Sequence, residues 1–165
     1  KNICTRILKG HIAVGSFKLK KNSSGSIIDK KARKYLKQIN LDYAHGTGHG
    51  VGFFLNVHEG PHAISKGNTV KFQEGMVLSN EPGYYEKNNF GIRIENLIYV
   101  KKIKQKNYFE NLTMAPIDKE LIDLKILNKS EKKWLNNYHK KVFDSLRKFM
   151  NKTELLELSK SCSAI

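Results

Sequence analysis

The sequence predicts an α+β fold, on three observations. Apolar residues recur at helical spacing near both ends of the chain. Between them, short apolar and alternating runs separated by Gly, Pro and Asn read as strands. No run of about 18 apolar residues occurs, so no helix that crosses a membrane is predicted. The 165 residues suit one domain or a large piece of one, and eight Phe, seven Tyr and one Trp are enough for a packed core.

The elements follow in order. Ile3, Ile7, Leu8, Ile12, Val14 and Phe17 predict an amphipathic helix over 3–17. Residues 20–26 read as a loop. A second helix is predicted over 28–39, with Asp29 in its first turn and Ala32, Leu36 and Ile39 as its buried stripe. The glycine-rich stretch that follows is too costly to hold as a helix, so it reads as loop and strand, largely extended over 51–57. Residues 61–73 read as a surface loop. Strands are predicted over 75–79, 92–100 and 108–114, with turns at 86–89 and, rich in lysine, at 101–106. Ser130 reads as the N-cap of a last long helix. Trp134, Leu135, Tyr138, Val142, Phe143, Leu146, Phe149 and Met150 form its packing stripe, and 154–158 form a short helical end.

The net charge of +15 invites a nucleic-acid reading. The basic residues comprise only four Arg against 26 Lys, scattered and often beside Asn. Base reading favours Arg and phosphate tracking favours a concentrated stripe, so no nucleic-acid partner is expected. Cys4 and Cys162 fit neither a zinc spacing nor a disulfide framework and read as reduced thiols of a cytoplasmic protein. The opening residues lack a signal-peptide pattern. There is no initiator Met, so the natural N-terminus is expected to lie elsewhere.

One stretch holds four of the six histidines: His45-Gly46-Thr47-Gly48-His49-Gly50, continuing through His58-Glu59-Gly60-Pro61-His62. Imidazole with carboxylates suits divalent first-row metals. His49, between Gly48 and Gly50, is free to point its ring into a site. Glu81 precedes Pro82-Gly83, which ends a strand and turns the carboxylate out. Glu95 sits among Ile92, Ile94 and Leu97 on a strand that reads as buried. A lone buried carboxylate costs several kcal/mol, and either a metal or Arg93 would offset that. Singly, His49 could be a hydrogen-bonding loop residue, Glu81 a turn cap and Glu95 a partner of Arg93. Together they point to a metal site assembled from distant segments, unlike a zinc finger's local cluster.

The motifs from His45 to Pro61, from Glu74-Gly75-Met76 to Tyr84-Tyr85-Glu86, and Phe90-Gly91-Ile92-Arg93-Ile94-Glu95-Asn96 resemble aminopeptidase P, of the M24 metallopeptidase family. Thr5-Arg6-Ile7-Leu8-Lys9-Gly10-His11-Ile12, Asp29 to Arg33, Phe109 to Thr113, Ala115-Pro116-Ile117 and Trp134 to His139 extend the likeness to the large cytosolic three-domain form. The resemblance implies the C-terminal part of a pita-bread (creatinase/aminopeptidase-like) fold with a C-terminal helical extension. Residues 1–115 would be catalytic-domain sequence and 116–165 the extension packed on it. It also implies two divalent ions, manganese with zinc or cobalt as other choices. His49, Glu81 and Glu95 would be metal ligands, with Glu81 also moving the proton. His58 would stabilise the tetrahedral intermediate, and His45, His49, His58 and Arg93 would contact or orient substrate. His62 is left as a surface residue.

The implied reaction removes the N-terminal residue from peptides with proline second. Two metal-binding aspartates of the family precede the helix that opens this chain, and neither is found here. The chain is therefore expected to be a C-terminal piece, inactive alone, whose partners are X-Pro peptides, the missing N-terminal part and a second copy in a homodimer. Other readings are a non-catalytic pita-bread binding module, which typically loses these ligands, and a sister peptidase, prolidase or methionine aminopeptidase.

Overall fold

The computed structural model describes residues 1–54 and 56–165. The chain divides into two units, Arg6–Thr113 and Lys1–Thr5 with Met114–Ile165.

Helix α1 (Asn2–Gly15), which enters the Arg6–Thr113 unit at Arg6, buries Ile7, Leu8, Ile12 and Val14, the stripe its spacing predicts. Helix α2 (Gly25–Lys37) begins one turn earlier than expected, after Ser24. Asp29 thus lies beyond the first turn, and its buried carboxylate serves side-chain partners instead of the helix dipole. Ile28, Ala32 and Leu36 are buried, while Ile39 falls past the helix end and is half-buried.

A four-stranded antiparallel sheet runs in the order β1 (Lys18–Leu19), β8 (Lys106–Asn111), β7 (Asn96–Ile103), β4 (Val77–Asn80). Ile98 and Val100 point inward from β7, and with Ile28, Ile64, Leu78 and Phe109 they form the core. The β7–β8 ladder reaches Ile103↔Lys106. The basic turn expected over 101–106 thus shrinks to Lys104 and Gln105, with Lys104 at φ 54°.

Two short ribbons complete the unit: β2 (Gly48–His49) with β3 (Ala63–Ile64), and β5 (Gly83–Glu86) with β6 (Phe90–Arg93). They correct three expectations. Residues 61–73 are not all surface loop, because Ile64 pairs with Gly48 and is fully buried. Residues 92–100 are not one strand. The chain leaves β5 after Arg93 and joins β4 at Asn96, so Ile94 and Glu95 lie in the break between β6 and β7. Residues 51–57 are not extended: Gly52 N–H donates to Asn56 O, and Phe54 has φ 53°. Leu55, which falls in that expectation, lies outside the described residues.

In the other unit, helix α3 (Lys129–Leu146) is capped by Asn128, not Ser130. The Asn128 side chain accepts from Glu131 N–H, and the Glu131 carboxylate accepts from Asn128 N–H. Leu135, Tyr138 and Val142 are buried along the helix, and Trp134 stacks on Tyr138 at 5.4 Å. Phe149 instead lies 72% exposed in a 3-10 turn (Arg147–Phe149), where the helical period has ended. Helix α4 (Lys152–Ser161) repeats the reciprocal cap with Asn151 and Glu154. His139 is fully buried, and its Nε2 accepts the Ile117 N–H at 3.1 Å. Burial, followed by the charge of Lys119, holds its pKa below that of a free histidine. Cys4 and Cys162 are both free thiols.

Candidate active site

The histidine stretch is laid along β4 by backbone contact. Val51 N–H donates to Val77 O, and Glu81 N–H donates to Thr47 O at 2.8 Å. The approach requires glycine at 48, where a Cβ would stand 2.0 Å from Ser79 O. His49 N–H donates to Ser79 Oγ at 2.9 Å, and that hydroxyl donates to Glu81 Oε1 at 2.8 Å. Ser79 is fully buried, so one side chain fixes both the backbone of His49 and the carboxylate of Glu81.

His49 Nδ1 lies 2.9 Å from Gly50 O. A carbonyl only accepts, so Nδ1 carries the hydrogen. Nε2 then faces Glu81 Oε1 at 3.3 Å. In the neutral ring this sets a nitrogen lone pair against a carboxylate, an arrangement that a shared cation relieves. Fixing the remote ring nitrogen on a carbonyl is also how metal-binding histidines are oriented. Nitrogen with carboxylate oxygen suits a divalent first-row ion. His49 and Glu81 therefore fit a metal.

Glu81 is 7% exposed. Its second oxygen, Oε2, lies 3.2 Å from Arg93 Nη1. Arg93 Nε–H donates to the Tyr85 hydroxyl at 2.7 Å. That bond, ahead of the charges of Glu81 and Glu95, raises the guanidinium pKa. Tyr85 OH in turn lies 3.0 Å from His45 Nε2. His45 Nδ1–H is spent on Gly46 O at 2.7 Å, so the neutral ring takes the tyrosine hydrogen at Nε2. A connected chain thus runs from His45 through Tyr85, Arg93 and Glu81 to His49. Gly83 makes room for it, since a Cβ there would stand 2.8 Å from the Tyr85 oxygen.

The His58 ring lies over His49, with centroids 4.0 Å apart. Glu95 is exposed, in the break between β6 and β7, and reaches this group through its charge on Arg93. It is not the buried strand carboxylate expected, because the change of sheet carries it out of the ladder. Among the described residues, no group of three or more His, Cys, Asp or Glu side chains is gathered tightly enough to hold a metal. His62 is not a surface residue: it is buried, and its Nε2–H donates to Val77 O at 3.0 Å.

Sequence reasoning passed over Ser79 and Tyr85. For Tyr85 a signal existed. A turn over 87–89 pairs Tyr85 with Gly91 and Gly83 with Arg93, which puts Tyr85 and Arg93 on one face.

Residues 1–102 match the model of metallopeptidase family M24, and residues 107–165 match the C-terminal region of peptidase M24. A probable Xaa-Pro aminopeptidase P of Laccaria bicolor is 46% identical over 178 residues, covering 100% of this chain and 28% of its own length. Aminopeptidase P1 of Arabidopsis thaliana is 44% identical, covering 100% of this chain and 27% of its own. The crystal structure of an X-prolyl aminopeptidase from Caenorhabditis elegans, described as a cytosolic enzyme with a di-nuclear active site, is 38% identical. It superposes with a TM-score of 0.90 over 99% of this chain and 28% of its own. A prolidase from Pyrococcus furiosus is 30% identical and superposes at 0.59 over 67% of this chain and 31% of its own. The chain thus spans little more than a quarter of these aminopeptidases. Its fold is the C-terminal part of the pita-bread fold, with the α+β character that the sequence predicts. The chain belongs to metallopeptidase family M24.

Proposed function

We propose that this chain supplies one wall of a metalloaminopeptidase site that releases the N-terminal residue from peptides with proline in the second position. The observation that carries this reading is the pairing of His49 Nε2 with Glu81 Oε1, with Nδ1 held on Gly50 O. Support also comes from the family and from aminopeptidase P relatives 44–51% identical to the chain. On this reading His49, Glu81 and Glu95 hold divalent ions, and the upstream part of the same polypeptide supplies the remaining ligands. Manganese is the first choice, with zinc or cobalt as alternatives. What bound ions supply is Lewis acidity, which makes a water acidic enough to attack near neutral pH.

The chain's own residues do the rest. Glu81 takes the proton from the attacking water and returns it to the proline nitrogen as the C–N bond breaks. His58 stabilises the negative charge on the carbonyl oxygen. His45 and Arg93 orient the substrate. Proline's nitrogen has no N–H to donate, so an apolar wall holds its ring better than a polar one. Phe53 and Phe54, 89% and 83% exposed on the loop that leads to His58, offer such a wall. We place residues 1–115 in the catalytic domain and 116–165 in a C-terminal extension. A cytoplasmic location is proposed, since the Caenorhabditis neighbour is described as cytosolic, and a homodimer is proposed only from the resemblance to the large cytosolic form.

The test is a panel of X-Pro-Y, X-Pro and Met-X peptides given to the full-length enzyme. Release of X from X-Pro-Y is expected. Cleavage of X-Pro alone would make it a prolidase, and cleavage of Met-X alone a methionine aminopeptidase.

A further inference from the structure

Behind the His45 loop lies a charge hub, buried at Asp29 and half-exposed at Asp42, that the reaction does not use. Arg33, on α2, is 11% exposed. Its Nε–H is shared between both oxygens of Asp29 at 2.9 Å. Nη1 donates to Asp42 Oδ1 at 2.8 Å and to Tyr43 O at 2.7 Å, and Nη2 donates to His45 O at 2.6 Å. The guanidinium also lies 4.0 Å from the centre of the Tyr43 ring. Asp29 Oδ1 accepts a second hydrogen bond, from Thr47 Oγ1 at 2.6 Å, and Tyr43 OH meets that same hydroxyl. Both ends of the segment Tyr43 to Thr47 are therefore tied to one helix, and His45 sits at its midpoint.

We propose that Arg33 is a positioning residue: it sets the place of His45, and so substrate binding, through the backbone carbonyls of Tyr43 and His45. The inference rests on the role of His45 given under the proposed function. Two arguments favour it over a plain fold brace. A buried ion pair is a poor stabiliser, since apolar residues of similar volume often do as well or better. Arg33 also spends two of its donors on loop carbonyls, which a brace between α2 and its own side chains would not need. Only a planar fork reaches two carboxylates and two carbonyls at once; an ammonium is a point charge. Displacement of a binding group by about 1 Å is enough to weaken its hold on the substrate.

The experiment uses the full-length enzyme with Arg33→Lys, His45→Asn and the double variant. It measures kcat and KM on an X-Pro-Y peptide, and the His45 ring signal by NMR of histidine-labelled protein. Arg33→Lys is expected to raise KM about tenfold with kcat within about twofold. It should also shift the His45 signal while that of buried His139 stays. The double variant should bind no worse than His45→Asn alone. An unchanged KM with an unmoved His45 signal, or additive losses in the double variant, would overturn the proposal. If Arg33→Lys shows no cooperative melt, Asp42→Asn makes the same test, because Asp42 is half-exposed and shares Nη1 with Tyr43 O. A KM rise of about two- to threefold with the same His45 shift is expected there; an unchanged KM with an unmoved His45 signal would overturn the proposal. Wild-type enzyme that leaves X-Pro-Y peptides uncut would sink the functional reading instead, while the NMR arm still judges Arg33.

Discussion

Ser79 joins the two groups on which the proposed site depends. Ser79→Ala would leave His49 N–H and Glu81 Oε1 each short of a partner in a buried place. Stability should fall by about 1–3 kcal/mol in urea unfolding. Divalent-ion affinity of the full-length enzyme, by titration calorimetry, should fall about 10- to 100-fold. Unchanged affinity would show that the hydroxyl does not orient the carboxylate. His11 makes a different prediction. Burial drives its pKa from 6.5 to about 4, only partly offset by the backbones of Ile94 and Asn80. The unfolded chain therefore takes up the proton first as pH falls. The His11 contribution is full above pH 6.5 and is lost on the way down to about pH 4. The difference should amount to about 3 kcal/mol, read as the gap between wild type and His11→Gln across that range. A gap that stays flat would contradict it. His49 and Glu81 were legible from residue type and spacing because glycine and proline mark where the backbone must turn. His62 and Ser79 were not, since a one-dimensional pattern does not show which polar groups are buried against one another.

The elements were legible where one periodicity governs a whole segment, as in α1 and in the core face of β7. Sequence reading erred where the chain changes partner. Ile92 to Val100 alternates as a single strand would, yet β6 and β7 belong to different sheets, and the break between them exposes Glu95. It erred again at short strands: β2 and β3 are two residues each, too brief for a period to show. The start of α3 was set by reciprocal hydrogen bonding between Asn128 and Glu131, and propensity alone places it two residues late. Asn128→Ala should cost about 1 kcal/mol through loss of the cap of α3, whereas Ser130→Ala should cost near zero. Equal losses in thermal or urea unfolding would contradict that assignment.

At the scale of the whole molecule, the chain is a family M24 segment in which His49 faces Glu81 and Glu95 lies on a sheet-to-sheet crossing. The chain spans 28% of the Laccaria relative, and on the proposed reading the remaining donors come from the rest of such a polypeptide. Isolated, the 165-residue chain should leave X-Pro-Y peptides uncut under conditions in which the full-length enzyme cleaves them. Comparable turnover by the isolated chain would mean that His49, Glu81 and Glu95 suffice. The most direct measurement is the crystal structure of the full-length enzyme with Mn²⁺, with the ions located by anomalous scattering. An ion coordinated by His49 Nε2 and by the carboxylates of Glu81 and Glu95 is predicted. Ions bound elsewhere, with Glu95 turned to solvent and His49 still paired only with Glu81, would contradict the account.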